Sequence, residues 1–448
     1  MTETLLVQGG ALIDGTGAGR REATSILIEG DRITAVGADA DRAATAGPSG
    51  PGGPSAVKVI DATGRTVMPG LVDAHCHTTF GEPASNDELF FHRQPAYAAM
   101  VAAWNAPKIL RAGVTSALDP DSIFEIGPQL RDAIEAGMVE GPRLRTGLYA
   151  LLTTVGGTAG RLIPDQGTLG YAEVVRTDAE IVEAVRRHVK YGADWIKVHA
   201  TGLIPGRAGE VQVWSRHELQ VVCDAAHELG IPVMTHCRNA SSTRDSARAG
   251  VDLLLHATFM DDEALDAVIE AQVPICPTMT FLANLVEWGD KVGAMPHVQD
   301  IFRDELALSA PAYRAAHAAG VPLLCGSESG FSITPYGHWH ARELELFVRD
   351  LGLTPLEAIT CATANGAIAM RDDSIGTIVV GQTADLLVVD GDPLVDLSVL
   401  GDRRRLHAVV KGGRVVDLDR PWPDRRVFAG ETVGLYGDRA LTREVVYP

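Results

Sequence analysis

The middle of this chain repeats one pattern, and that pattern limits what it can fold into. A helix-like stretch ends in glycine, and a short apolar run follows at once. This occurs at Arg111-Ala-Gly-Val-Thr-Ser, Tyr191-Gly-Ala-Asp-Trp-Ile, Glu228-Leu-Gly-Ile-Pro-Val, Arg248-Ala-Gly-Val-Asp-Leu and Ala318-Ala-Gly-Val-Pro-Leu, and Glu270-Ala-Gln-Val-Pro-Ile repeats it without the glycine. Glycine just past a helix suits the left-handed cap that lets a strand begin. Thr66-Val-Met-Pro-Gly-Leu-Val-Asp-Ala-His75 and Pro142-Arg-Leu-Arg-Thr-Gly-Leu148 bring the strand candidates to eight. Strands that alternate with helices pair in parallel, so eight such units predict an α/β fold, a (β/α)8 barrel.

The two ends of the chain read differently. Thr4-Leu-Leu-Val-Gln, Ser25–Val36 and Val57-Lys-Val-Ile-Asp are β-branched runs, with a turn at Glu29-Gly-Asp-Arg. Similar runs return at Gly376-Thr-Ile-Val-Val, Ala384–Asp390 and Ala408–Val416. Residues 1–66 and 373–448 are therefore expected to form one small β-sandwich domain, with residues 67–372 as the barrel. Gly47–Ser55 is too rich in glycine and proline to fold alone and reads as a flexible loop. A length of 448 residues fits two units better than one.

The formal net charge of −19, with no run of like charge, argues against nucleic-acid and anionic-membrane partners. No apolar run approaches ~20 residues, the length a membrane span needs, and the N-terminus does not read as a signal peptide. The six cysteines have no paired spacing and read as free thiols of a cytoplasmic protein.

In a (β/α)8 barrel the chemistry sits where strands end. Strand one runs into Asp73-Ala-His-Cys-His77, and the period of two turns His75 and His77 to one side and Cys76 to the other. Strand four carries Lys197 and His199, strand five ends at His236, strand six at His256, and the run after strand eight reaches Glu328. Singly, a strand-end histidine is usually a hydrogen-bonded rim or core residue, and a strand lysine usually snorkels to solvent. Together they form a ligand set of imidazole and carboxylate type. A lysine fits among such ligands only if it is neutral or chemically modified.

Ile196-Lys-Val-His-Ala-Thr-Gly202, Leu71–His77, Thr235-His-Cys237, Leu255-His-Ala-Thr-Phe259 and Gly381–Asp390 together resemble the amidohydrolase superfamily, in its imidazolonepropionase-like and Xaa-Pro-dipeptidase-like branch. The resemblance runs to about Val416, and nothing recognisable follows Pro421. It implies two divalent metal ions, zinc by default, with manganese, iron or cobalt able to replace it. It places His75 and His77 on the first metal and His236 and His256 on the second. A carboxylated Lys197 would bridge them together with a hydroxide, and Glu328 would touch the first metal and shuttle the proton.

Three positions depart from that family. Most relatives have Gly-Thr-Asp where this chain has Gly326-Ser-Glu328, so the carboxylate is one methylene longer, and a small backbone shift around Gly326 and Gly330 is expected to absorb it. Arg238 stands where the branch often has histidine, either as a rim ion pair or as a fork for a substrate carboxylate. Thr158 stands where a Gly-Gly-His is usual. His199, His338 and His340 are further candidates for substrate contact, with rim hydrogen bonding or capping of a helix near Ala341 as the alternatives. Cys76, Cys237 and Cys325 read as small apolar filler.

The expected function is metal-dependent hydrolysis of a C–N bond (amide, cyclic amide or carbamate) in a small molecule. The alternative is a lyase or isomerase on the same metal site. The sequence leaves open whether the chain forms a homo-oligomer.

Overall fold

A computed structural model describes residues 3–46, 57–83, 94–158, 171–206, 209–422, 436–437 and 439–447. Gly47–Ser55 lies outside the described residues. Leu71–Asp73, Val114–Asp119 and Arg143–Thr146 pair in parallel, and so do Ala150–Leu152, Ile196–His199, Val233–Cys237, Leu253–His256 and Ile275–Cys276. Asp194 N donates to Thr146 O at 2.8 Å and links the two groups on one side. On the other side Leu324 N donates to Ile275 O at 2.8 Å, and His77 N donates to Ser329 O at 2.8 Å. The result is the (β/α)8 barrel expected from the repeated pattern. Its central strands are buried on both faces, which is why they read as continuous apolar runs.

The predicted caps form. Gly113, Gly192, Gly230, Gly250 and Gly320 take φ between 72° and 90°, and Gln272 takes the same left-handed conformation at φ 51° in the repeat without glycine. The Gln272 side chain donates to Ile269 O at 2.9 Å, which offsets part of the cost of that backbone.

Strands from both chain ends build the β-domain. Thr4–Leu12, Arg21–Glu29, Arg32–Val36, Thr66–Pro69, Leu386–Val389, Leu406–Lys411 and Arg414–Val415 lie on one hydrogen-bonded path, and Lys58–Asp61 joins the sheet off that path by pairing in parallel with Thr4–Leu12. One face buries Leu5, Val7, Ile26, Ile28, Val67, Leu386 and Val388. The other packs Leu6, Leu27 and Ala35 against Ala40 of the helix Ala38–Ala46.

Three details differ from the sequence reading. Gly376–Val380 forms no strand; instead Ile378 N donates to Asp14 O at 2.8 Å. The run from Thr66 divides at Gly70, with Thr66–Pro69 in the β-domain and Leu71–Asp73 in the barrel; only glycine fits at the junction, since a Cβ there would lie 2.2 Å from Thr115 Oγ1. Residues 439–447 do not join the sheet. Leu441 and Val446 pack in the barrel core, Leu441 N donates to Ser332 O at 2.8 Å, and Trp339 Nε1 donates to Leu441 O at 2.6 Å.

Candidate active site

His75 and His77 follow the first barrel strand, on the side that period-two geometry predicts. Their Nε2 atoms are 3.2 Å apart, and a carboxylate oxygen of Glu328 lies within 4.8 Å of a nitrogen of each. The parallel register sets Lys197 beside Met234 and His199 beside His236 on neighbouring strands. Cys237 is in register with His256, which ends the next strand. The His236 and His256 rings are 4.6 Å apart and the His75 and His256 rings 5.2 Å apart, so the four histidines share one space.

Backbone strain is concentrated at the same place. His256, Ala257 and Glu328 take φ of 67°, 54° and 51°. The conformation of Glu328 is fixed by its N–H, which donates to His75 O at 2.7 Å, and by Thr334 Oγ1, which donates to Glu328 O at 2.6 Å. The unusual backbone therefore lies at Glu328 itself. Gly330 also has positive φ, at 130°, whereas Gly326 does not. Gly326 serves by its small size, since a Cβ there would lie 2.4 Å from Cys276 Sγ.

The residues fit a metal centre. His75 Nδ1 is 2.9 Å from Thr278 Oγ1, His77 Nδ1 is 2.8 Å from Asp121 Oδ1, and His236 Nε2 is 2.8 Å from Glu210 Oε2. Oxygen partners of this kind orient histidine ligands and fix their tautomers. His256 Nε2 is buried and has no hydrogen-bond partner among the described residues. Burial holds the pKa of His75, His236 and His256 well below the ordinary imidazole value, which keeps them in the neutral form that binds metals. Burial also lowers Lys197. Glu328 is pushed up to about 8 by burial, although Arg238 and Lys197 pull the other way.

Sequence reasoning missed three carboxylates. Asp121, two residues past the second barrel strand, has Oδ2 2.7 Å from His199 Nε2 and 3.9 Å from Lys197 Nζ. Burial would raise its pKa, but Lys197, His77 and His199 hold it well below the usual carboxylate range. Its place in Leu118-Asp-Pro-Asp121, at a strand end, was the available clue. Glu210, in the strand Gly209–Gln212, and Glu305, in the helix Pro296–Ala318, gave none.

The remaining candidates fall into two groups. Thr158, His199 and Arg238 line the cavity above the histidines, and Thr158 Oγ1 is 3.4 Å from both His199 Nδ1 and His236 Nε2. The Arg238 fork is closed by Glu305. His338 and His340 do not line the cavity and do not cap the short helix Arg342–Leu346. His340 Nδ1 is 2.7 Å from Asp73 Oδ2 and its Nε2 accepts from Gly337 N at 2.9 Å, so both nitrogens are engaged beneath strand one. His338 Nδ1 accepts from Arg443 N at 3.3 Å.

The cavity holds about 250 Å³, and its walls are largely aromatic: Phe80, Tyr171, Phe281, Phe302, Phe331 and Tyr436. A model of the amidohydrolase family matches residues 66–416. The chain belongs to the amidohydrolase family. It is a hydrolase acting on carbon–nitrogen bonds. This amidohydrolase is 27% identical over 462 residues to the ochratoxinase of Aspergillus niger, over 97% of this chain and 88% of that one. It is 25% identical over 431 residues to the imidazolonepropionase of Streptomyces griseus subsp. griseus, over 92% of this chain and 97% of that one. Among solved structures it is similar to a Xaa-Pro dipeptidase with methionine bound in the active site, with a TM-score of 0.77 and 27% identity over 93% of this chain and 100% of that one.

Proposed function

We propose that this amidohydrolase cleaves an amide-type C–N bond of a small molecule at a centre of two divalent metal ions. The observation that carries the reading is the inward pair of imidazole nitrogens, 3.2 Å apart, with the Glu328 carboxylate beside them under an aromatic cavity. His75 and His77 would hold one ion, His236 and His256 the other, and a carboxylated Lys197 would join them. Zinc is the default metal, and manganese, iron or cobalt suit the same donors. When bound, such ions acidify water and polarise the carbonyl to be attacked.

The protein's own residues do the rest. Asp121, Thr278 and Glu210 hold three of the ligand imidazoles in place. Glu328 stands on a backbone fixed at both its N–H and its C=O, positioned to take a proton from attacking water and give it to the departing nitrogen. The aromatic walls exclude bulk water and bury the apolar part of the substrate. All six cysteines are buried and free, which supports a reducing, cytoplasmic setting.

The test is metal analysis combined with turnover in isotopically labelled water. Protein prepared with zinc and bicarbonate should carry about two metals per chain, as a lysine-bridged pair requires, and the released acid should carry one labelled oxygen. Lys197→Arg, which cannot be carboxylated, should lose metal and most activity. At most one metal in the parent protein, or near-normal turnover by the arginine variant, would rule out the bridged pair. A product without label would point to a lyase or isomerase instead.

A further inference from the structure

Arg238 is the guanidinium that lines the cavity, and three of its five N–H donors face buried carboxylates. Nε donates to Glu305 Oε1 at 2.9 Å and a terminal nitrogen donates to Glu305 Oε2 at 2.5 Å. The other terminal nitrogen lies 3.5 Å from Glu210 Oε1. Glu305 and Glu210 are 0% and 4% exposed, and the Phe302 ring centroid lies 5.2 Å from the guanidinium carbon. Glu305 fills the side-on fork, formed by Nε and one terminal nitrogen, and its buried charge neutralises the cation that a substrate carboxylate would seek.

One helix supplies both the counter-charge and the adjoining wall. Pro296–Ala318 carries Val298, Ile301, Phe302 and Glu305, whose spacing of three and four residues puts them on one face. Phe281 and Phe331 continue the apolar surface. Besides its histidines, the other basic group among the described lining residues is Lys197, which faces Asp121 at 3.9 Å.

We infer that Glu305 sets the charge class of the substrate. By occupying the fork of Arg238 it withholds that cation, and the enzyme selects an amide whose pocket-side group is uncharged and aromatic or branched apolar. This rests on the amide-hydrolase reading above. A substrate carboxylate in this part of the cavity would have to displace a buried glutamate, leaving it unpaired, or remain unpaired itself. Arg238 then acts as a positioning residue, holding Glu210 behind His236.

The test uses the full zinc-loaded chain and two compounds that differ only by a carboxylate, N-phenethylbenzamide and N-benzoylphenylalanine. Calorimetry gives Kd and a product assay gives kcat/KM. The parent should bind and cleave the neutral compound at least tenfold better. Glu305→Gln, which leaves the guanidinium without a counter-charge at that fork, should move the ratio at least tenfold toward the carboxylate, mainly through Kd and KM. Should that variant fail to fold, Arg238→Leu combined with Glu305→Leu replaces the pair with hydrocarbon and should keep the neutral preference. Equal or tighter binding of the carboxylate by the parent, an unchanged ratio in folded Glu305→Gln, lost neutral preference in the double variant, or no binding of either compound would overturn the inference. The expected binding preference without amide cleavage would overturn the hydrolase reading and leave this inference standing.

Discussion

Glu328 departs from the usual residue by one methylene, and its backbone has the positive φ that a side chain rarely adopts. Its role can be separated from its fit. Glu328→Gln should keep most metal, through the histidines and Lys197, and lose on the order of 10²-fold or more in kcat, the usual cost of losing general acid–base catalysis. Glu328→Asp should also lose activity, because an arm one methylene shorter draws the carboxylate back from the His75 and His77 nitrogens that it now approaches within 4.8 Å. Steady-state kinetics with metal analysis checks both, and a Gln variant with normal turnover would assign the proton to another group. Asp121 gives a second test, since it faces His77 and His199 at once. Asp121→Asn should weaken metal binding by about 10–100-fold, the range for losing a carboxylate behind a histidine ligand, as measured by competition with a chelator. That His75, His77, Lys197, His236 and His256 come together at one end of the barrel was legible in the sequence, because strand ends and a period of two are local properties. Asp121 was legible in principle. Glu210 and Glu305 were not, because only the folded chain brings a hairpin strand and a distant helix behind Arg238. For the same reason His340 misled: its proximity in sequence to strand eight says nothing of the Asp73 carboxylate that holds it.

At the scale of elements, the repeat of helix, cap and strand was legible because each unit is built from neighbouring residues. Where an element stops being one thing and becomes another was harder to read. Thr66–Asp73 looks like a single strand, yet it divides at Gly70 between two sheets, and Thr115 fills the space that a Cβ at the junction would need. Gly70→Ala should therefore destabilise the chain by about 1–3 kcal/mol, the usual penalty for overpacking, seen as a lower thermal midpoint. Thr115→Ala in the same chain should recover part of the loss, since it removes the two closest atoms and leaves the Cβ at 2.8 Å. If the two effects simply added, the contact would not be the reason for the glycine.

For the whole molecule, metal held by the buried histidines, as proposed above, would couple occupancy to folding. A chelated sample should melt lower than the loaded one, and zinc with bicarbonate should restore it. Binding to the folded state alone contributes about 2.7 kcal/mol per site at a free metal concentration one hundred times Kd. Scanning calorimetry at several metal concentrations checks this, and a midpoint that does not move would mean that the histidine cluster is stable empty. The β-domain adds a constraint of another kind. Thr66–Pro69 must pair with Leu386–Val389, which stands more than 300 residues later. At 5–20 residues per second the ribosome needs on the order of tens of seconds to make that much chain. Throughout that interval the early half of the sheet lacks the strand that closes its edge, and His75, His77, Lys197, His236, His256 and Glu328 have all been made before the partner strand arrives. The clock for completing this fold is therefore set by translation, and the β-domain is the last part to finish although it is the first to be made.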